Sequence, residues 1–465
     1  MTTKAQINLA DVDLDLLAKY DTAGPRYTSY PTAPQFRGDF TVVDLREEIR
    51  ATNAVQEAPP LSLYFHLPFC ESVCFFCGCN VTFTADRKRP ASYTDLLIRE
   101  MDEVAPMVAG YRRVEQLHWG GGTPTFFSPD QLRKLHEATR SRFALAENAE
   151  VGLEVDPRET TTEHMQALQE LGFNRISMGI QDFDPQVQKA VNRIQSVEIT
   201  RHVIEEARQR GFRSVSVDLI YGLPYQTRDS FAATLEQVLK LDPDRLAVFN
   251  LAYLPEMIRH QKAIKPEALP QPLEKLAILT HAVRTLSEAG YRYVGMDHFA
   301  KPGDDLCRAQ DAGTLYRNFQ GYTTHAGCDL YAFGVSAIGQ IGRTYAQNHK
   351  KIHDYERVVG QDGLATQRGI RLTDEDVLRR EVIMRLMCDF VLDTETIGKR
   401  FGIVPRSHFA EALEALKPLE DDGLLRWAGG KVVITPVGRL LIRNICMVFD
   451  AYLKQGSGIK FSRTV

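Results

Sequence analysis

Residues 61–79 read Leu61-Ser62-Leu63-Tyr64-Phe65-His66-Leu67-Pro68-Phe69-Cys70-Glu71-Ser72-Val73-Cys74-Phe75-Phe76-Cys77-Gly78-Cys79. Leu61–Phe65 has the apolar, aromatic character of a short β-strand. Cysteines then fall at 70, 74, 77 and 79, on the loop that would leave the strand's carboxyl end. One strand followed by a chemically loaded loop suggests a parallel α/β protein, because such folds collect their reactive groups where the strands end.

Working outward, the same kind of strand recurs at Val114–Trp119, Val151–Val155, Arg175–Gly179, Ser214–Ile220 and Leu246–Leu251. Helical periodicity fills the gaps, at Tyr93–Val108, Pro129–Arg142, Thr161–Leu171, Ile199–Arg210 and Asp229–Leu241. Strand–helix alternation of this regularity implies a parallel sheet covered by helices, with right-handed crossovers. Six units and a further strand near Tyr291–Met296 predict an α/β fold, a partial (β/α)6 TIM-like barrel. A doubly wound open sheet is the alternative. The predicted division is an N-terminal arm over 1–55, the partial barrel over 56–345, and a small, mostly helical C-terminal domain over 346–465.

In the arm, Gly24-Pro25-Arg26-Tyr27-Thr28-Ser29-Tyr30-Pro31 cannot be regular helix, since its prolines lack amide donors; it reads as an extended segment laid over another part of the protein. In the C-terminal part, Asp374–Asp389, Asp393–Phe401, Ser407–Leu416 and Pro436–Leu453 look helical, and Pro418 is expected to stop the third. Gly429-Gly430 turns a wing-like hairpin within Leu425–Ile434. Helices with a wing can bind DNA, but no strongly basic run accompanies them, and a lid or docking role ranks higher.

Composition narrows the class further. The chain of 465 residues is 44% hydrophobic and 25% charged, with a net charge of -4. That balance gives no bias toward nucleic acid or an anionic membrane surface. Met1–Tyr20 lacks the apolar core of a secretory signal, and no apolar run is long enough to span a bilayer. A cytoplasmic protein, expected to be monomeric, with no nucleic-acid or membrane partner, fits these features.

Of the 8 cysteines, four lie within ten residues, whereas Cys307, Cys328, Cys388 and Cys446 are scattered. Cys70, Cys74 and Cys77 have a spacing that can wrap three irons of a cubane cluster and leave the fourth open for a substrate. Phe75 and Phe76 can shield such a cluster from water. Structural zinc more often takes two separated ligand pairs. A Cys74–Cys77 redox dithiol is the other reading, and it leaves Cys70 and Cys79 unexplained.

Cys-x3-Cys-x2-Cys after the first strand of a barrel resembles the radical S-adenosylmethionine (SAM) superfamily. Adjoining motifs are similar to those of the oxygen-independent coproporphyrinogen III oxidases: Tyr64–Cys70 with Cys77–Asn80, Gly120–Thr125, Glu154–Arg158, Ser177–Phe183, Ala190–Gln195, Asp218–Pro224, Arg317–Tyr322 and Phe333–Gly339. The resemblance runs from the arm into the C-terminal part. It implies a [4Fe–4S] cluster held by Cys70, Cys74 and Cys77, two SAM molecules, and conversion of two propionates of coproporphyrinogen III to vinyl groups by a 5′-deoxyadenosyl radical.

By the same resemblance, the Gly120–Gly122 turn holds the SAM amino group, and Gly121, Gly122 and Thr123 are cofactor-binding residues. Glu154, Gln181, Arg193 and Asp218 serve the cofactor, Arg193 at the methionine carboxylate and Asp218 at the ribose. Ala252 and Ile338 line adenosine sites, and Phe319 and Gln320 match the place of a second SAM. Tyr64 and Phe76 belong with the cofactor; Cys79, His66 and Tyr64 are catalytic candidates. Expected partners are a porphyrinogen and an electron donor such as a flavodoxin or ferredoxin. A haem chaperone and a haem-modifying methyltransferase of the same superfamily are the alternatives; Cys79 and the Pro25–Thr32 arm argue for the oxidase.

Overall fold

The computed structural model describes residues 14–453 and 461–464; the expectation for Met1–Tyr20 therefore lies mostly outside the described residues. Six parallel strands form the centre: β1 Leu61–Leu67, β2 Val114–Gly121, β3 Leu145–Val155, β4 Arg175–Gln181, β5 Ser214–Tyr221 and β6 Arg245–Asn250. They stand side by side in chain order, with helices Arg89–Val104, Pro129–Arg140, Thr162–Glu170, Val197–Gln209 and Arg228–Leu241 in the crossovers. This is the α/β partial barrel expected from the alternation.

Side chains alternate along these strands. In β2, Leu117 and Trp119 are fully buried, while Gln116 and His118 point into an internal cavity. The same division separates Leu153 from Glu150 and Glu154 in β3, and Val217 from Ser216 and Asp218 in β5. A parallel sheet packed on both faces would be apolar throughout. The period-two polarity marks the inner face of this barrel as a chamber instead of a packed core.

The sheet is larger than six strands. A distant segment, Asp329–Phe333, pairs parallel with β1 on its outer edge, and the antiparallel strands Ile338–Ile341, Thr344–Asn348 and Thr366–Arg371 follow. The sheet that contains β1 thus runs on to Arg371, with the helix Ile352–Asp362 between its last two strands. At the other edge, the further strand forms over Arg292–Gly295. It is not a seventh βα unit: it pairs antiparallel with His298–Ala300, which is antiparallel to β6. A hairpin, Tyr316–Asn318 with Gly321–Thr323, covers the chamber from inside.

In the C-terminal part, Asp374–Asp389 and Thr394–Phe401 are helical, and Leu425–Ala428 pairs with Lys431–Ile434 as the hairpin. Two expected helices are broken. Ser407–Leu416 divides into Pro405–His408 and Ala410–Ala415 at Phe409, and Pro436–Leu453 divides into Pro436–Leu440 and Ile442–Met447 at Leu441. Phe409 and Leu441 are both buried, so packing dictates these bends. The helical stretch ends at Ala415, ahead of Pro418, which sits in the first turn of a new helix, Lys417–Asp421, where its missing N–H costs nothing.

The arm is anchored. Tyr27 and Tyr30 are buried, at 1% and 0% exposure. The Tyr27 hydroxyl donates to Asp450 (3.0 Å), the Ala451 N–H donates to the Tyr30 hydroxyl (3.0 Å), and Arg443 Nε donates to the Pro25 carbonyl (3.0 Å). Arg26 reaches the other way, to Asp297 beside the barrel (3.3 Å). The lead-in also contains two helices, Leu14–Tyr20 and Val42–Asn53.

Candidate active site

The cysteine loop leaves β1 as expected, over the carboxyl ends of the strands. Cys74 is buried, Cys70 and Cys77 are partly exposed, and Cys79 is the most open. Among the described residues, one set of three metal-ligating atoms converges to within 4.8 Å, that of Glu115, His325 and Cys328, near the start of β2. No three of the loop thiols converge to within that distance of one another. Four sulfurs around one zinc ion lie about 3.8 Å apart, from Zn–S bonds of about 2.3 Å. Cys70, Cys74 and Cys77 are therefore not gathered as tightly as a zinc site would hold them.

Donors are already aimed at these sulfurs. Thr123 Oγ1 lies 3.4 Å from Cys70 Sγ. Arg158 Nη2 and Arg193 Nη1 each point at Cys74 Sγ from 3.7 Å. Burial pushes the Cys70 thiol up to about 12, whereas contact with the Cys79 thiol draws Cys77 down to about 7. Asp156 receives both arginines, at 2.6 Å from Arg158 and 3.0 Å from Arg193. Burial opposes its ionisation, but the two guanidiniums prevail and hold its carboxyl down at about 2.

A cavity of about 430 Å³ opens beside the loop. Tyr64, His66, Cys79 and Gly121 line it from the loop and the strand ends, with Glu154 below. Phe319, Gln320 and Ile338 close it from the far side. The chamber enclosed by the strands adjoins it, with a volume of about 400 Å³, and Cys79, Glu154 and Gln320 belong to both. Asp218 faces the chamber, where burial and then the charge of Glu154 push its carboxyl up to about 7.

The triple glycine is explained by its neighbours. A Cβ on Gly120 would lie 2.9 Å from the Glu154 carboxyl, one on Gly121 2.6 Å from the His66 ring, and one on Gly122 2.6 Å from the Pro68 backbone. Gly121 also has φ +115, a region that L side chains avoid. Its N–H donates to Glu154 Oε2 at 3.0 Å. Burial pushes the Glu154 carboxyl up, but His118 and this N–H outweigh it, and the group stays below its usual range.

His66 is fixed in one state. Nε2 lies 2.8 Å from the Asn80 carbonyl and so carries the proton; Nδ1, 3.0 Å away, accepts from the Tyr64 hydroxyl. Burial lowers its affinity for a second proton. Tyr64 is itself pushed far up by burial, so the pair is neutral.

The remaining expected residues lie nearby, outside the walls of these cavities. Arg193 Nη2 is occupied by the Gly179 carbonyl (2.7 Å) and Gln195 (3.0 Å), and its Nε is buried without a partner. Gln181 Oε1 is likewise buried and unpartnered. Phe76 packs with Val187, Val191 and Leu223. The Ala252 carbonyl accepts from Gln261 (2.9 Å). Gln261 and His260 were not legible as site residues. Gln261 Nε2 also holds the Phe76 carbonyl (3.1 Å), and His260 Nε2 holds that of Cys77 (2.6 Å), so one short segment pins the cysteine loop. Three thiols flanked by donors, with orphaned polar atoms at Arg193 and Gln181, fit a cluster and a polar cofactor beside it.

A parallel partial barrel with this three-thiol loop at its carboxyl end defines an enzyme of the radical SAM class, and residues 64–238 match the model of the radical SAM superfamily. Residues 372–441 match the HemN C-terminal domain. The chain is 49% identical to the oxygen-independent coproporphyrinogen III oxidase of Pseudomonas aeruginosa, over 97% of this chain and 98% of that one. It is 48% identical to the enzyme of the same name from Escherichia coli (strain K12), over 98% and 99%. The solved structure of coproporphyrinogen III oxidase from Escherichia coli superposes with a TM-score of 0.91 at 46% identity, over 96% of this chain and all of that one. The chain belongs to the family of oxygen-independent coproporphyrinogen III oxidases. No helix among the described residues is long and apolar enough to cross a membrane.

Proposed function

We propose that this enzyme converts two propionates of coproporphyrinogen III to vinyl groups, giving protoporphyrinogen IX for haem synthesis, with Cys70, Cys74 and Cys77 as the cluster ligands. When bound, the [4Fe–4S] cluster and SAM supply a 5′-deoxyadenosyl radical that takes hydrogen from the substrate. Each propionate then loses carbon dioxide and one electron.

The protein's own groups position and shield. Thr123, Arg158 and Arg193 donate toward the ligand sulfurs, and Gln261 and His260 hold the loop that bears them. Gly121 and Glu154 shape the cofactor pocket, with Gln181, Arg193, Asp218 and Ala252 at its margins. Phe319, Gln320 and Ile338 are proposed to hold a second SAM in the adjoining cavity. His66 keeps its single proton on Nε2 and receives a hydrogen bond from Tyr64, and this pair shares a cavity wall with Cys79. Division into an arm, a barrel part and a C-terminal part, an electron donor such as a flavodoxin or ferredoxin, a monomeric state and a cytoplasmic location complete this reading.

The observation that supports it most is the common wall. Residues from β1, β2, β3 and the segment 319–338 meet around one cavity next to the three thiols. Relatives named for the oxidase match the chain end to end, so neither the haem chaperone nor the methyltransferase is favoured. Anaerobic reconstitution with iron and sulfide, followed by SAM, a low-potential reductant and coproporphyrinogen III, tests the reading. Vinyl product with methionine release is expected; methyl transfer, or binding without turnover, would overturn it.

A further inference from the structure

Four arginines are fully buried among the described residues: Arg112, Arg193, Arg317 and Arg443. Three of them have an ion pair or carbonyl acceptors. Arg112 pairs with Asp329 (2.6 Å), Arg193 with Asp156 (3.0 Å), and Arg443 donates to the carbonyls of Pro25 (3.0 Å) and Arg463 (2.8 Å).

Arg317 has neither an ion pair nor a hydrogen bond among the described residues. It is 4% exposed, and its Nε and Nη1 are sealed from water without a partner. Its guanidinium lies over the Tyr322 ring at 4.9 Å, across the hairpin. Tyr322 lines the chamber, as does His298, whose ring meets Tyr322 edge-on at 5.3 Å. A buried charge without a counter-ion costs folding stability, so a protein keeps one only where something else needs it.

Three carboxylates line the chamber, Glu150, Glu154 and Asp218, and none of them pairs with Arg317. The two arginines that line the chamber are paired, Arg175 with Glu150 (2.7 Å) and Arg245 with Asp304 (2.9 Å), and Arg317 stands behind Tyr322. Arg26 stands over Phe249, another chamber residue, at 5.7 Å, and pairs with Asp297 at 3.3 Å. Burial, followed by Arg317, pushes His298 down to about 3, so it adds no charge of its own.

We propose that Arg317 is a carboxylate-binding residue, and that its ligand is a propionate of the porphyrinogen held in the chamber. The planar fork suits a carboxylate, and Tyr322 fixes its plane. The inference rests on the functional reading above and names the anchor that the four-carboxylate substrate would need inside the barrel. A SAM carboxylate offers the same chemistry, and the test separates the two.

The experiment uses the reconstituted full-length enzyme, kept anaerobic. Equilibrium dialysis measures binding of coproporphyrinogen III, of its tetramethyl ester and of SAM to wild type, Arg317→Met and Arg317→Lys. Arg317→Met should weaken the tetra-acid by at least about tenfold, with Arg317→Lys intermediate. Affinity for the ester and for SAM should stay at wild-type values. Without substrate, the melting temperature of Arg317→Met should equal or exceed that of wild type, because no partner is lost. Unchanged tetra-acid binding, an equal loss with the ester, a loss confined to SAM, or a markedly lower melting temperature would overturn the assignment. Wild-type enzyme that fails to bind coproporphyrinogen III at all would refute the functional reading itself, and this subsite with it.

Discussion

Cys79 sits beside Cys77 at the open side of the loop and lines both the cavity and the chamber. That position separates it from its three neighbours. Replacing Cys70, Cys74 or Cys77 with Ser should abolish the cluster's visible absorbance; Cys79→Ser should retain the absorbance and lose turnover. A bleached Cys79→Ser protein would contradict this division. Gly121 is the second sensitive residue. Ala there meets an unfavourable backbone region, at about 1–3 kcal/mol, and crowds the His66 ring. Thermal melts and SAM titration of Gly121→Ala should show lower stability and weaker binding together. At this scale much was legible: cysteine spacing and glycine content are local and depend on few neighbours. Gln261 was not, because a buried amide among loop residues has no sequence signature until the loop it ties is seen beside it.

The cysteine loop is held as an element by backbone contacts from the segment that follows β6. Gln261→Ala would leave the carbonyls of Phe76 and Ala252 and the Leu254 N–H without their partner. The cost is about 1–3 kcal/mol per buried group left unpaired. Cluster loss to a chelator should accelerate in this variant while the far-ultraviolet circular dichroism is kept; an unchanged loss rate would show that the tie does not matter. The central strands and their helices emerged from periodicity because each unit has its own apolar stripe. Other elements were missed for definite reasons. Val42–Asn53 carries a Thr41–Asp44 capping box that marks its start, a local signal passed over when 1–55 was taken as a lead-in. Strand Asp329–Phe333 depends on pairing with β1, far back in the chain, which no local pattern announces. The alternation of Gln116 with Leu117, or Asp218 with Val217, was present in the sequence and points to a polar chamber.

Across the whole molecule, Glu100 joins the barrel helix Arg89–Val104 to the outer strands. Its carboxylate accepts from the Gly334 N–H (2.8 Å), Asn348 (2.6 Å) and the Tyr355 hydroxyl (2.8 Å). Burial nevertheless pushes its carboxyl up to about 7 from 4.5. The folded state therefore binds this proton more tightly than the unfolded chain does. Its contribution is full below about pH 4.5 and lost as pH rises through about 7, a difference of up to about 3 kcal/mol. Urea midpoints of Glu100→Gln at pH 5 and pH 7.5 should differ less than those of wild type; an identical difference would assign the slope elsewhere. The barrel strands and the hairpin Tyr316–Asn318 with Gly321–Thr323 wall one chamber below the site above β1. The most direct measurement is Mössbauer spectroscopy of enzyme reconstituted with iron-57, before and after SAM. One iron of the cube should change its environment when SAM is added, in wild type and in Cys79→Ser alike. Four irons indifferent to SAM, or a spectrum altered by the Cys79 substitution alone, would contradict a cube held by three thiols with one corner open.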